Sequence, residues 1–287
     1  MPPRGECRGS YGPPETTGTL GDPELVESSG IAASLVDDHI LWIHNDSGDT
    51  ARVFAVRDDG SPVARLELEG VRAVDFEDIA AAPCPDFSGP CLWLADTGDN
   101  SHNRQDATLY VAHEPDLRKL VRGASVKSGP VWRFPVVYPT GPVDVEALIV
   151  PQTLDALYLI EKIDAATARV FRKAPPFVDN RPLEIIASLP SPGFPIRFGR
   201  MVTGAAMHPG GRRVLVRVYT GVYEYRLGPG KTLADIGSIQ PIQVALGPFS
   251  ESQGEAVGYD ATGTGVWTVS EGRNQRPGEP LHHYSCR

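Results

Sequence analysis

Five positions along the chain carry an oxygen donor in the same local setting: Ser29, Glu77, Glu146, Thr203 and Glu255. Each opens a short apolar stretch: Ser29-Gly30-Ile31, Glu77-Asp78-Ile79, Glu146-Ala147-Leu148, Thr203-Gly204-Ala205 and Glu255-Ala256-Val257. A second apolar stretch follows, with its large residue 13, 16, 12, 12 and 12 positions downstream: Trp42, Trp93, Tyr158, Leu215 and Trp267. If these openings converge, three carboxylates repel one another unless a proton or a cation neutralises them. Oxygen-only donors select a hard cation, and Ca²⁺ accepts roughly six to eight oxygens in flexible geometry, whereas Mg²⁺ demands an octahedron that a five-fold ring does not present. The expected ligand set of one Ca²⁺ is therefore Ser29, Glu77, Glu146, Thr203 and Glu255. The competing reading is that each Glu only bonds backbone amides at the start of a strand.

A second set of polar residues follows the large residue of each repeat. The five segments are His44-Asn45-Asp46-Ser47-Gly48-Asp49, Ala95-Asp96-Thr97-Gly98-Asp99-Asn100, Glu161-Lys162-Ile163-Asp164, Arg217-Val218-Tyr219-Thr220 and Ser270-Glu271-Gly272-Arg273-Asn274. Ser47, Gly48, Thr97 and Gly98 read as turn chemistry. Asp49 and Asp99 fit a turn or a site equally. Asp46, Asp96 and Glu161 are the candidates to orient or deprotonate a water. Lys162, Arg217, Glu271 and Arg273 are the candidates to bind a ligand, with Lys162 and Arg217 suited to an anionic group. A salt-bridge network would collect the same residue types. The histidines, including His44, show no metal-ligand spacing and read as structural. No Gly-x-Ser-x-Gly elbow, P-loop or dinucleotide fingerprint occurs. Paired carboxylates such as Asp46 with Glu161 or Glu271 leave glycoside chemistry open.

The elements that must position these residues are short strands. A third stretch completes each repeat at Val53-Phe54, Leu109-Tyr110, Val170-Phe171 and Val222-Tyr223, and more weakly at Leu281-His282. Successive openings are 48, 69, 57 and 52 residues apart, and closure through the termini is 61, so no further repeat is missing. Repeats of this size built from strands predict an all-β, five-bladed β-propeller of four-stranded antiparallel blades around a central channel. A β-sandwich does not explain the repeated register, and a solenoid has more uniform periods. The expected domain is a single one over residues 1–287. Residues 1–20 are expected to be irregular or to add a strand to the last blade. The stretch from Leu117 to Gly129 reads as loop or short helix, and Val63, Arg65 and Glu67 as the wet face of an outer strand.

Composition bounds the partners. The formal charge of −9 disfavours nucleic acid, whose phosphates need clustered Lys and Arg. No run of 18 apolar residues exists to span a membrane. Cys84 and Cys91 flank a turn-rich loop while Cys7 and Cys286 lie near the termini, which predicts those two bridges and an oxidising compartment. The spacing excludes familiar zinc motifs. No signal peptide is visible at the N-terminus, so an exported protein would here be in its mature form.

With its Ser29, Glu77, Glu146, Thr203 and Glu255, the chain resembles the calcium-activated nucleotidases, or secreted apyrases. That family is five-bladed, with an axial calcium held by Ser, Glu, Glu, Ser and Glu in order. The chain is also similar to bacterial propellers described as phytase-like esterases. The resemblance implies an exported, calcium-dependent hydrolase of phosphate esters or anhydrides, at the bacterial cell exterior. It lacks the family's aromatic and basic motifs around the nucleotide. The alternative is a non-catalytic binding propeller with a structural ion. Either would act as a monomer on a small anionic or polyol ligand, without nucleic acid or membrane insertion.

Overall fold

The computed structural model describes residues 5–119, 121–246, 251, 253–272 and 276–287. They form five blades. Blade one contains Ser28–Ala33, Ile40–Asn45, Arg52–Arg57 and Pro62–Glu67. Blade two contains Phe76–Pro83, Pro90–Asp96, Thr108–His113 and Trp132–Pro135, and blade three Val145–Ile149, Leu157–Glu161, Thr167–Lys173 and Glu184–Pro190. Blade four contains Val202–Met207, Arg213–Val218, Gly221–Arg226 and Ile242–Leu246. Blade five contains Gly254–Tyr259, Gly265–Ser270 and Pro280–Ser285, and Glu15–Thr19 supplies its outer strand. The N-terminal segment thus joins the last blade, and the Cys7–Cys286 disulfide fastens that closure. Cys84–Cys91 pins the first hairpin of blade two.

One element departs from expectation. Within the stretch from Leu117 to Gly129, a single 3₁₀ turn at Leu117–Lys119 is followed by the strand Ala124–Lys127, which pairs in parallel with Pro62–Glu67. The long connection in blade two therefore adds a fifth strand to blade one. The strand is only four residues long and one of its faces is wet, so the sequence carries little periodic signal there.

The core lies between blades. Trp42 and Val53 pack with Phe76 and Leu92 between blades one and two, and Trp93 and Leu109 with Val145 and Leu157 between two and three. Ile160 meets Val202 and Val216, Leu215 meets Val257, and Ile43 meets Trp267 and Val269, closing the ring. Trp42 and Trp93 are fully buried, and each indole N–H finds an acceptor, on Glu114 and on the Pro83 carbonyl. Burial of such rings explains the repeat of a large residue in the second strand, since each must fill the wedge between two sheets.

Near the axis the inner strands crowd. A β-carbon on Gly204 would approach the Glu255 carbonyl to 2.8 Å, and one on Gly258 would approach the Ile31 carbonyl to 2.7 Å. Small residues are needed there because backbones of neighbouring blades touch. Asp78 fixes the centre: its buried carboxylate accepts the N–H groups of Ile79 at 2.9 Å, Leu148 at 2.8 Å and Ala205 at 3.1 Å, joining blades two, three and four.

Candidate functional site

The five opening residues occupy one structural position. In every blade the pairing of first and second strand slips by one residue, and the residue left over is Ser29, Glu77, Glu146, Thr203 or Glu255. Each is the extra residue of a β-bulge. A bulge re-aims a side chain that the pleat would otherwise commit to a sheet face. The repeated register in the sequence is the trace of five equivalent bulges.

Around these bulges acidic side chains converge. Asp46, Asp75 and Glu77 bring carboxylate oxygens within 4.8 Å of one another, and so do Glu77, Asp144 and Glu146. Glu77 belongs to both groups and links them. Burial pushes the Glu77 carboxyl well up, with Glu146 and Asp46 adding repulsion. Glu146 is pushed up by burial too, although Lys162 opposes. Asp46 is pushed up to about 7 by burial and by Glu255 and Asp75. Asp75, raised chiefly by burial, is hydrogen-bonded to Asp46. Burial, with repulsion from Glu271, raises Glu255 to about 7. Glu271 is likewise raised to about 7, by burial and by Asp46 and Glu27, while a hydrogen bond with Glu255 opposes the rise. Gln253 donates to both Glu255 and Glu271.

Asp75 and Asp144 lie outside the residues that the repeat register marks, and the structure adds them to the site. A sequence signal for them exists: Asp75-Phe76-Glu77 and Asp144-Val145-Glu146 are the same Asp-x-Glu, two residues before the bulge. Gly98, whose sequence context is that of a turn, has a second task. A β-carbon there would overlap the carboxylates of Glu77 and Asp75, so the site is built around its absence.

The hydroxyls of the ring serve as inter-blade clasps. Ser29 donates to the Glu77 carbonyl at 2.8 Å and Thr203 to the Gly254 carbonyl at 2.9 Å, and Thr97 repeats the pattern with Val145 at 2.8 Å. Their oxygen lone pairs remain for a cation or water. Glu255 interacts electrostatically with Asp46 and Glu146 but stands outside the two tightest groups.

Several expected site residues are engaged in structure instead. Asp96 is buried, paired with Arg104 at 2.9 Å, and accepts the Asp75 N–H at 2.9 Å. Its task is to hold the segment before Glu77. Glu161 accepts the Arg169 backbone N–H and Nε, both at 2.7 Å, and is equally removed from solvent. Arg217 is buried, lowered to about 10 by that burial, and donates to the Ala256 and Val269 carbonyls and to Glu251. It has no face open to a ligand, because its repeat position follows the second strand into the interface with blade five. Asp49 pairs with Arg52, and Asp99 caps the loop at Asn103 and Arg104. Arg273 lies outside the described residues.

Lys162 remains at the mouth. Its ammonium is ion-paired with Glu146 and lies 5.6 Å from the Tyr219 ring centroid. Burial would lower its pKa, but Glu146, Tyr219 and Glu77 outweigh it and raise it. His44 is buried and lowered by that burial to about 4, so it is neutral, with Nδ1–H on the Asn45 carbonyl at 2.8 Å and no partner for Nε2 among the described residues.

No family model matches the chain, and neither does any curated protein. Solved structures with a similar course exist. A gluconolactonase from Xanthomonas campestris aligns over 100% of this chain and 99% of its own, at 15% identity and a TM-score of 0.49. A periplasmic gluconolactonase of Pseudomonas aeruginosa aligns over 84% of this chain and 64% of its own, at 18% identity and TM-score 0.39. A β-propeller domain from Myceliophteria thermophila aligns over 84% and 66%, at 15% identity and TM-score 0.42. Likenesses this distant carry no argument about activity, and the five-bladed assignment rests on the strand pairing itself. None of these three is a nucleotidase, so the apyrase resemblance gains no support from them.

The donor set suits a hard cation. It offers only oxygen, it concentrates carboxylates that repel one another, and it keeps Gly98 free of a side chain where Glu77 and Asp75 need room.

Proposed function

We propose that the protein is an exported, cation-dependent hydrolase whose channel mouth binds Ca²⁺, with phosphate esters or anhydrides as its substrate class. The observation that carries this reading is the pair of carboxylate triplets that share Glu77, Asp46–Asp75–Glu77 and Glu77–Asp144–Glu146. These five would hold the ion, with Glu255, Ser29 and Thr203 in reach directly or through water. A bound divalent cation supplies positive charge that polarises a phosphoryl or acyl oxygen. The chain's own groups supply the rest. Asp46, raised by burial and by Glu255 and Asp75, would be held ionised once a cation neutralises those neighbours, and can then orient a water. Lys162 stands at the mouth with its ammonium on Glu146, and an ion that took over Glu146 would leave that ammonium to an anionic substrate oxygen. The two disulfides support export to an oxidising compartment. The protein is proposed to act there as a monomer on a small anionic or polyol ligand.

A second reading is a non-catalytic binding propeller with a structural ion. The Lys162–Glu146 ion pair favours it, because a built-in ammonium already neutralises part of the ring. The deciding experiment combines calorimetric titration of Ca²⁺ into chelator-treated protein with assays on 4-nitrophenyl phosphate, bis(4-nitrophenyl) phosphate and nucleotides. One-to-one binding with calcium-dependent turnover supports the hydrolase. Binding without turnover supports the second reading, and no binding removes both.

A further inference from the structure

Phe194, Ile196 and Phe198 are 48%, 55% and 46% exposed and fall within five residues of one loop, between the outer strand of blade three and the inner strand of blade four. The loop is pinned. Buried Thr220 accepts the Phe194 N–H at 3.1 Å and donates to the Gly199 carbonyl at 2.6 Å. The Gly199 N–H bonds the Ile196 carbonyl at 2.9 Å, and the Met201 N–H bonds the Phe198 carbonyl at 3.0 Å. Phe198 itself sits at φ 63°, in the left-handed region that bulky residues rarely adopt and that costs them free energy. An exposed aromatic ring held at that cost, on an anchored loop, is presented rather than left over.

The loop walls a cleft of about 420 Å³ with Ile196, Arg197 and Phe198, and Lys162, Tyr219 and Gln253 also line it. That volume lies within the roughly 300–1,000 Å³ of small-molecule sites. The cleft adjoins the acidic mouth through two of its lining residues, since Lys162 pairs with Glu146 and Gln253 donates to Glu255. Arg197 is exposed, lies 4.5 Å from the Phe198 ring centroid, and has no carboxylate partner among the described residues. Stacking on the ring uses the flat face of a guanidinium and leaves its N–H edge free for an oxyanion. In a chain of charge −9, Arg197 brings an exposed positive edge to this cleft, whereas Lys162 is already paired.

We infer that the cleft takes a small aromatic anion, its ring against Ile196, Phe198 and Tyr219 and its anionic group on Arg197. This deepens the hydrolase reading by naming the part of the substrate that does not react, and it is tested by binding alone. The probe is 8-anilinonaphthalene-1-sulfonate, itself an aromatic anion, followed by fluorescence in chelator and in CaCl₂. The parent is expected to show one saturable site. F198A and R197Q should each weaken it at least fivefold with melting temperatures near the parent's. Phe87→Ser, which alters a separate exposed aromatic surface, should leave it unchanged. Unchanged binding in both loop variants, or loss only in Phe87→Ser, overturns the proposal. Weakening by F198A without R197Q overturns the anionic assignment. If the loop variants weaken the probe but the parent hydrolyses nothing, the hydrolase reading fails and the binding site stands. If the parent hydrolyses phosphate esters while both loop variants bind the probe as it does, the hydrolase reading stands and this site is removed.

Discussion

Gly98 stands against the carboxylate of Glu77 so closely that a single added β-carbon would overlap it. The glycine comes from the loop after the second strand of blade two, and the glutamate from the bulge of the first strand. Their contact defines the room available at the mouth. G98A should therefore push Glu77 and Asp75 apart, weaken Ca²⁺ at least tenfold by calorimetry, and cost about 1–3 kcal/mol as an overpacking change. Parent-like calcium affinity in G98A would show that the two carboxylates do not share an ion.

Lys162 and Glu146 should be separable in effect. E146Q takes away the ammonium's ion-pair partner and leaves it the weaker pull of Glu77, Asp144 and Glu255, so the metal-free protein is expected to lose about 1–2 kcal/mol while calcium binding weakens. K162M removes the internal cation and should make the fold more dependent on calcium, with a lower melting temperature in chelator that CaCl₂ restores. The check is a pair of thermal scans, with and without chelator. A K162M protein indifferent to calcium would remove the case for an ion at the ring.

Stability should depend on pH with a definite sign. Asp46, Glu255 and Glu271 are each raised to about 7 by burial and neighbouring carboxylates. An unfolded carboxyl releases its proton near pH 4, so between about 4 and 7 the folded state binds more protons. Their contribution is complete below about pH 4 and is lost as pH rises through about 7. Without calcium the denaturant midpoint should fall from pH 5 to pH 8, and calcium should recover more at pH 8 than at pH 5. A midpoint that rises over this range would contradict the raised carboxyls.

Arg217 is predicted to act on folding and not on ligand. R217M strips donors from the Ala256 and Val269 carbonyls and leaves Glu251 without its ion-pair partner. Breaking such a buried pair costs about 3 kcal/mol. Urea denaturation should show that loss. A selective fall in ligand affinity at parent stability would return Arg217 to the binding site.

The Cys7–Cys286 bridge spans 279 residues of sequence and fastens the first and last segments of blade five. In the chain-entropy model its removal costs up to about 5 kcal/mol, more than loss of the short Cys84–Cys91 loop. Replacing Cys7 and Cys286 with Ser should lower the melting temperature more than replacing Cys84 and Cys91. Equal effects would mean that the outer strand Glu15–Thr19 holds without the bridge.

The sequence by itself determined the blade count, the closure through the termini, both cysteine pairings and the five bulge positions. Those features recur or are local: every blade needs a bulge near the axis and a large residue such as Trp42 or Trp93 in the wedge, so the same physical demand leaves the same mark. Asp75 and Asp144 went unmarked by that register, although each stands in a repeated Asp-x-Glu that ends on Glu77 or Glu146. Tertiary structure alone decided which charges stay available. Asp96, Glu161 and Arg217 look like site residues in their repeats, yet Arg104, Arg169 and Glu251 engage them. Nothing local marks a partner such as Glu251, 34 residues from Arg217. Likewise the Arg197–Phe198 edge meets Lys162 only because blades three and four stand side by side around the axis. Charge pairing depends on distance in space, and the ring brings together side chains that the chain keeps apart.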